Sequence, residues 1–130
     1  MIVLDTNVLV DLDRYVLDVD GAYGASLLSR AELEFGINAA RDATTAAQRV
    51  RHLARLDDRF EWIEFDLECT RSYGFVAARA NAKGAKVRGK DALIAAQAHR
   101  HGAAVMTANL DDFAPFAHLV QVVPPPVLHA

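Results

Sequence analysis

Short apolar runs separated by helix-length segments extend along this 130-residue chain. The first run, from Ile2 to Leu4, stops abruptly at a carboxylate, which is typical of a strand buried on both faces of a sheet. Strands that alternate with helices predict an α/β fold: a mainly parallel sheet with helices on both faces, joined by right-handed crossovers. Because 52% of the residues are hydrophobic, we expect one domain with a single core over residues 1–130.

The element boundaries follow from periodicity and from residues that stop an element. Gly102 sits just after a predicted helix, and the prolines that begin at Pro124 end the last strand because they cannot donate to a ladder. Residues 15–24 and 84–89 are predicted loops, the second of them basic. The predicted strands are 2–4, 26–28, 60–65 (a half-exposed edge strand), 103–106 and 120–123, and the predicted helices are 6–10, 30–40, 44–56, 70–83 and 90–101.

Several classes of protein are excluded by composition. Cys69 is the only cysteine, which excludes an internal disulfide and a thiolate metal cluster and agrees with a reducing compartment. No stretch approaches the roughly 18 apolar residues of a membrane span, and the N-terminus lacks the features of a signal peptide. We therefore expect a soluble, cytoplasmic protein with no membrane partner.

The charge is distributed unevenly along the chain, although the net charge is only −3. Residues 1–68 hold 14 acids and 7 bases, whereas residues 69–100 hold 7 bases and one acid, Asp91. Lys83, Lys86, Arg88 and Lys90 lead directly into that acid, so they are candidates to contact phosphates. The alternative is a solvated helix face and loop.

Asp5 follows the first predicted strand, and its residue type has two explanations. In open α/β sheets, ligands and catalytic groups gather in the crevice beyond the carboxyl ends of the strands. Alternatively, Asp5 caps the helix that begins at Thr6, since aspartate is a preferred N-cap. This stretch alone leaves both explanations open.

Glu32 presents the same choice in the second segment. It lies three residues after Ser29, which is the spacing of a capping box. The same geometry places Glu32 in the first turn of a helix that follows a strand, near the crevice that Asp5 faces. Glu34 is roughly 200° further around the helix and is expected to be solvated.

Two later segments also place acids near strand ends or helix starts. Asp91 lies in the first turn of a predicted helix, where the macrodipole favours a negative charge. Thr107 ends a buried strand, and polar residues that include Asn109 follow it. Asp111 and Asp112 are adjacent, so they cannot both face one point. A local cap from Asn109 to Asp112 is the alternative.

Four segments distant in sequence thus each bring a carboxylate toward one edge of the predicted sheet. Clustered carboxylates repel one another and raise their own pKa values unless a cation lies among them. Carboxylate oxygens suit Mg²⁺ or Mn²⁺ rather than zinc. Such ions activate water and stabilise the attacking and leaving oxygens in phosphodiester displacement, so we expect a nucleic acid substrate.

The stretches LDTNVLVD, AELEFG, KDALIAA and TANLDDF occur in this order and together resemble the PIN-domain ribonucleases, particularly the VapC-type toxins. The resemblance covers almost the whole chain. Asp112 rather than Asp111 matches the family's N-x-x-D-F pattern, because it directly precedes Phe113. Carried over by position, the acidic site comprises Asp5, Glu32, Asp91 and Asp112, with Thr6 and Asn109 beside it.

The resemblance also implies a fold, an activity and partners. These are a five-stranded parallel sheet, Mg²⁺- or Mn²⁺-dependent endoribonuclease activity on RNA, a homodimer and inhibition by a cognate antitoxin. The basic residues named above then become possible RNA contacts. The apolar and alanine-rich residues 39–62 offer a face for partners, or else they pack on the core. Many members of the family have an arginine where this chain has Ala108. The difference removes one expected phosphate contact and leaves the four acids unchanged.

Two other functions compete with the ribonuclease hypothesis. A haloacid-dehalogenase-like phosphatase also has an aspartate after an N-terminal strand, but its motif needs a second aspartate where this chain has Asn7. A PIN-like RNA-binding module without turnover is expected to lack one of the acids, and all four are present. RNA cleavage assays with and without Mn²⁺ separate the three.

Overall fold

The computed structural model describes residues 1–87 and 89–127. Within these ranges, strands alternate with α-helices and two 3₁₀ turns, Leu12–Arg14 and Ala114–Phe116. The strands are β1 (Ile2–Leu4), β2 (Tyr23–Ser26), β3 (Trp62–Ile63), β4 (Ala104–Met106) and β5 (Val122–Val123). The helices are α1 (Thr6–Val10), α2 (Leu27–Asn38), α3 (Ala43–Arg59), α4 (Leu67–Ala82), α5 (Gly89–Arg100) and α6 (Leu110–Phe113).

In the described part of the chain, five strands form one parallel sheet in the order β3-β2-β1-β4-β5. Leu4 of β1 lies opposite Ala25 on one side and Met106 on the other. The predicted α/β class and parallel sheet are therefore confirmed. The strand order reverses between β1 and β4, and such a reversal opens a crevice beyond the carboxyl ends of the strands.

Helices cover both faces of the sheet, as predicted. Successive strand residues point to opposite faces. Val3 therefore packs with Ile94 of α5 in one core cluster, whereas Leu4 packs with Leu9 of α1 and Leu56 of α3 in the other. Because β1 is buried on both faces, the first strand can be almost uniformly apolar.

The prediction of a strand at 26–28 is wrong, because β2 occupies Tyr23–Ser26. Gly24 lies inside this strand and not in the predicted loop. The strand has a glycine at this position because a Cβ atom there would come within 2.6 Å of Ile63 Cδ1. Ser26 ends the strand and caps α2 by accepting a hydrogen bond from the backbone N of Leu28 at 3.0 Å. The apolar residues 27–28 therefore begin a helix.

The capping box, one of the two alternatives for Ser29 and Glu32, does not form. Because α2 begins at Leu27, Glu32 lies in its second turn. Ser29 is fully buried, and its Oγ lies 2.8 Å from Thr6 Oγ1 of α1. The side chains of Ser29 and Glu32 both face α1 instead of serving each other's backbone.

The boundaries of the longer helices differ from the predictions by a few residues. α3 and α4 begin earlier because Asp42 accepts from Thr45 N and Asp66 accepts from Cys69 N. Gly102 has a φ of +61°, which confirms it as the left-handed residue that follows α5. Over the described ranges, no helix combines the length and the apolarity that crossing a membrane requires.

Candidate functional site

A cavity of about 320 Å³ lies where β1 and β4 end, at the reversal of the strand order. Its walls come from the end of β1 and from α1, α2, α5 and α6. The four acids that the family resemblance assigns to a site all line it, although they come from separate parts of the chain. We call it the acidic cavity; its lining residues are Asp5, Thr6, Asn7, Val10, Asp11, Glu32, Lys90, Asp91 and Asp112.

Asp5 caps a helix and also lines the acidic cavity. It caps α1, because its Oδ1 accepts a hydrogen bond from the backbone N of Thr6 at 2.8 Å. Its Oδ2 accepts from Thr107 Oγ1 at 3.0 Å and from Asn7 Nδ2 at 3.2 Å. The residue is only 4% exposed, so the fold fixes its carboxylate inside the acidic cavity.

Burial raises the pKa of Asp5 above its usual 3.8, because removal from water penalises the charged form. The hydrogen bonds from Thr6 and Thr107 and the positive charge of Lys90 oppose this effect. The negative charge of Glu32 reinforces it. A cation bound beside Asp5 would favour the ionised carboxylate and relieve the cost of burying it.

Thr6 connects Asp5 to Glu32. Its backbone N donates to Asp5, and its Oγ1 donates to Glu32 Oε1 at 3.0 Å. Glu34 is exposed and pairs with Arg30 at 3.6 Å. The prediction that Glu32 and Glu34 face different surroundings is therefore confirmed, although Glu32 lies one turn further into the helix than expected.

Lys90 lies within the acidic cavity and forms an ion pair there. Its Nζ is 2.6 Å from Glu32 Oε2. The hydrogen bond to Glu32 raises the pKa of Lys90; partial burial opposes this, and the charges of Glu32, Asp5 and Asp91 add to it. The ammonium is therefore held in its charged form among the acids. A contact between Lys90 and RNA stays a prediction.

Asp91 and Asp112 are the other two predicted acids that line the acidic cavity, and Asp11 lines it as well. Asp91 lies in the first turn of α5 and is 7% exposed. Asp112 accepts a hydrogen bond from Asn109 Nδ2 at 2.7 Å, whereas Asp111 is exposed and does not line the cavity. Asn109 makes no side-chain cap to the α6 backbone, so its side chain serves Asp112 instead.

Sequence reasoning missed two residues that hold the ends of β1 and β4 together. Asn7 donates to Asp5, and its Oδ1 accepts from Ala108 N at 3.1 Å. Thr107 is fully buried; it donates to Asp5 and accepts from the backbone N of Asn109 at 3.0 Å. The only signal in the sequence is the polar residue that ends each apolar run.

The remaining predicted phosphate contacts lie outside the acidic cavity. Lys83 and Lys86 are exposed, and neither lines it. Arg88 lies outside the described residues. Of the three lysines in this stretch that the structure describes, Lys83, Lys86 and Lys90, only Lys90 lies among the acids.

The donor set of the acidic cavity suits a hard divalent cation. It offers carboxylate oxygens from five residues, the four predicted acids and Asp11, together with the hydroxyl of Thr6. Among the described residues, no three His, Cys, Asp or Glu side chains already form a group that could hold a metal ion. The kinds of ligand atom that line the cavity are those that Mg²⁺ and Mn²⁺ prefer.

A second cavity, of about 550 Å³, lies beside the first and is lined mainly by α2 and α3. It shares Thr6, Val10 and Glu32 with the acidic cavity, so the two are contiguous. We call it the α2–α3 groove; its other lining residues are Leu33, Gly36, Gln48, Arg49, His52, Leu53 and Arg55.

Comparison with known proteins gives consistent matches for both sequence and fold. Residues 2–119 match the family described as PIN domain. The chain is 35% identical over 129 residues to VapC ribonuclease Y4jK of Sinorhizobium fredii, a match that covers 87% of this chain and 90% of that protein.

Two solved structures resemble the chain over nearly its whole length. One is VapBC2 from Rickettsia felis bound to a DNA fragment from its promoter, with 25% identity, a TM-score of 0.80 and coverage of 96% and 99% of the two chains. The other is VapBC-5 from Mycobacterium tuberculosis, a member of the VapBC family of toxin-antitoxin systems. It shows 28% identity, a TM-score of 0.76 and coverage of 96% and 97%.

Proposed function

The chain belongs to the PIN-domain family, and from that premise we propose that it is a metal-dependent endoribonuclease, the toxin of a toxin–antitoxin pair. A relative named as a VapC ribonuclease, 35% identical over 129 residues, supports ribonuclease activity. The observation that carries the proposal is the convergence of Asp5, Glu32, Asp91 and Asp112 in one cavity at the reversal of the strand order.

These four carboxylates would hold a Mg²⁺ or Mn²⁺ ion, with Thr6 and Asn109 as supporting polar residues. When bound, the ion would activate water and stabilise the charge that develops on the phosphodiester oxygens. Asp5 is suited to this role because a nearby cation would offset the cost of burying its charge.

The residues around Asp5 contribute by fixing its position before RNA arrives. Thr107 and Asn7 both donate to its Oδ2, and the backbone N of Thr6 holds its Oδ1. Asn7 also binds Ala108 N, so the ends of β1 and β4 cannot separate without breaking these contacts. Such outer hydrogen bonds orient the ligands of a metal site and keep them in place during the reaction.

The proposed protein partner is a cognate antitoxin. Structural relatives that are toxin-antitoxin complexes support this assignment. The α2–α3 groove adjoins the acidic cavity and offers both apolar and basic side chains, so a bound segment there would block access to the acids. We also propose a homodimer, for which exposed apolar side chains such as Phe35 on α2 and Val50 on α3 provide contact surface.

RNA cleavage by the purified chain tests the activity. We expect cleavage with Mn²⁺ and none with excess EDTA. Asp91→Asn is expected to lower the cleavage rate at least about 100-fold. This loss is larger than that expected when a residue that only hydrogen-bonds to a metal ligand is changed. Asp111→Asn is the matched control, because Asp111 is exposed and outside the acidic cavity. Cleavage that persists in EDTA would contradict metal dependence.

The same assays distinguish the competing functions. RNA binding without cleavage under any metal condition would favour a non-catalytic RNA-binding module, and release of phosphate from a monoester without RNA cleavage would favour a phosphatase. Expression of the chain alone tests the toxin assignment. Growth should stop with the native chain and continue with Asp91→Asn. Normal growth with abundant native protein would contradict the toxin assignment but not the ribonuclease activity.

A further inference from the structure

We propose that Lys90 is a built-in counter-cation of the acidic cavity, which neutralises Glu32 in the metal-free protein and competes with the divalent metal for that carboxylate. Lys90 would thereby stabilise the empty site and weaken metal binding. The inference rests on the proposed function, because it assumes that the acidic cavity is the metal site.

The contacts of Glu32 carry the first step. Lys90 Nζ lies 2.6 Å from Oε2, and Thr6 Oγ1 donates to Oε1 at 3.0 Å. Each oxygen of this carboxylate therefore already has a partner in the metal-free protein. A metal that takes Oε2 must either displace the ammonium or bind with a positive charge a few ångströms away, and like charges at that distance repel.

The position of Lys90 in its helix supplies the second step. Lys90 is the second residue of α5, where the positive end of the helix dipole disfavours a cation. Helix formation therefore does not account for a lysine there. The acids do: Asp5 and Asp91 also attract its charge, and all of these side chains line the same cavity.

The side chain of Lys90 is also able to leave. Its side chain is 53% exposed, and four methylene groups connect the ammonium to the backbone. Movement into solvent would break the ion pair with Glu32 without moving the backbone, so a bound metal would have to offset the loss of that pair. Lys90 therefore resembles a replaceable cation more than a fixed structural partner.

Calorimetric titration of Mn²⁺ into the RNA-free protein tests the inference without relying on activity. We expect Lys90→Met to bind Mn²⁺ about tenfold more tightly than the native chain, because a nearby positive charge is removed. Lys90→Arg, which keeps the charge, should bind like the native chain. Lys86→Met is the matched control, since Lys86 is exposed, lies outside the cavity and has no ion pair within the described ranges.

Thermal unfolding provides a second measurement. In EDTA, Lys90→Met should melt below the native chain, and saturating Mn²⁺ should raise its Tm by more than it raises that of the native chain. Equal or weaker Mn²⁺ binding by Lys90→Met, with clear binding by the native chain, would overturn the counter-cation and leave the metal site intact. Absence of Mn²⁺ binding in every variant would overturn both.

Discussion

Asp5 and Asp66 have the same local role in two different regions of the sheet. Asp5 follows β1 and caps α1, whereas Asp66 follows β3 and caps α4 by accepting from Cys69 N at 2.9 Å. Asp5 is buried and its pKa is raised by that burial. Asp66 is exposed, and the hydrogen bond from the Cys69 backbone lowers its pKa.

The difference comes from the position of the strand that each residue follows. β1 is the central strand, next to the reversal of the strand order, and β3 is at the edge. A helix cap stabilises a carboxylate charge in both regions, but only the central region surrounds the carboxylate with protein and further acids. Capping therefore does not distinguish the two aspartates, whereas burial of the carboxylate at the strand reversal does.

The largest effect that the comparison predicts is on RNA cleavage. Asp5→Asn keeps a capping oxygen but removes the charge, so we expect the cleavage rate to fall at least about 100-fold while the fold is retained. Asp66→Asn, the matched change at the edge strand, should leave cleavage unchanged. Rates would be measured with Mn²⁺ and folding by circular dichroism. Equal losses in both variants would show that the two regions do not differ in function.

A smaller effect is expected where a neutral group supports Asp5. Thr107→Val keeps the shape of the side chain but leaves Asp5 Oδ2 and Asn109 N each without one partner. We expect a loss of about 1–3 kcal/mol in the free energy of unfolding and a fall in cleavage of roughly 10–100-fold. Thr70→Val is the control, because Thr70 is exposed on α4. Native-like stability of Thr107→Val would mean that this hydroxyl does not hold Asp5.

Asp57 extends the comparison to pH. Its hydrogen bonds with Arg30, at 2.9 and 3.0 Å, and the one from Trp62 hold its pKa below the usual 3.8. A lowered folded-state pKa means that the carboxylate stabilises the fold above pH 3.8 and that this contribution disappears as the pH falls through the folded-state value. Asp57→Asn should therefore cost about 0–1 kcal/mol at neutral pH, since the pair is exposed.

The measurement for Asp57 is thermal unfolding of the native chain and Asp57→Asn over a series of pH values. The difference in Tm should be constant near neutrality and should shrink below pH 3.8. A difference that grows on acidification would contradict the assigned direction of the pKa shift.

The smallest effects are expected for the exposed cations beyond the acidic cavity. Changing Lys83 and Lys86 together to Ala should weaken RNA binding and reduce its salt slope by roughly 0.7 for each phosphate that the variant no longer neutralises. The Tm should change little, because both side chains are exposed. Binding would be measured in the Asp5→Asn background, so that RNA is not consumed. An unchanged affinity and slope would show that these lysines are only solvated.

Much of this arrangement could be predicted from local patterns. Apolar runs and helical spacing predicted the α/β fold, the parallel sheet and most of the helices, because the buried positions of a helix or strand recur at regular intervals along the sequence. The failure at β2 has a local cause as well. Gly24 resembles a loop residue and residues 27–28 resemble a strand, but contact with Ile63 and capping by Ser26 reverse both assignments.

The sequence by itself predicted that four carboxylates would reach one edge of the sheet, because each lies close after a predicted strand or near the start of a predicted helix; Glu32 reaches that edge from the second turn of its helix. Only the tertiary structure decided which groups meet them. Thr107 and Asp5 are 102 residues apart, and Lys90 and Glu32 are 58 apart. These contacts depend on the strand order that places β4 beside β1 and on the packing of α2 near the start of α5, and no local pattern of residues encodes either.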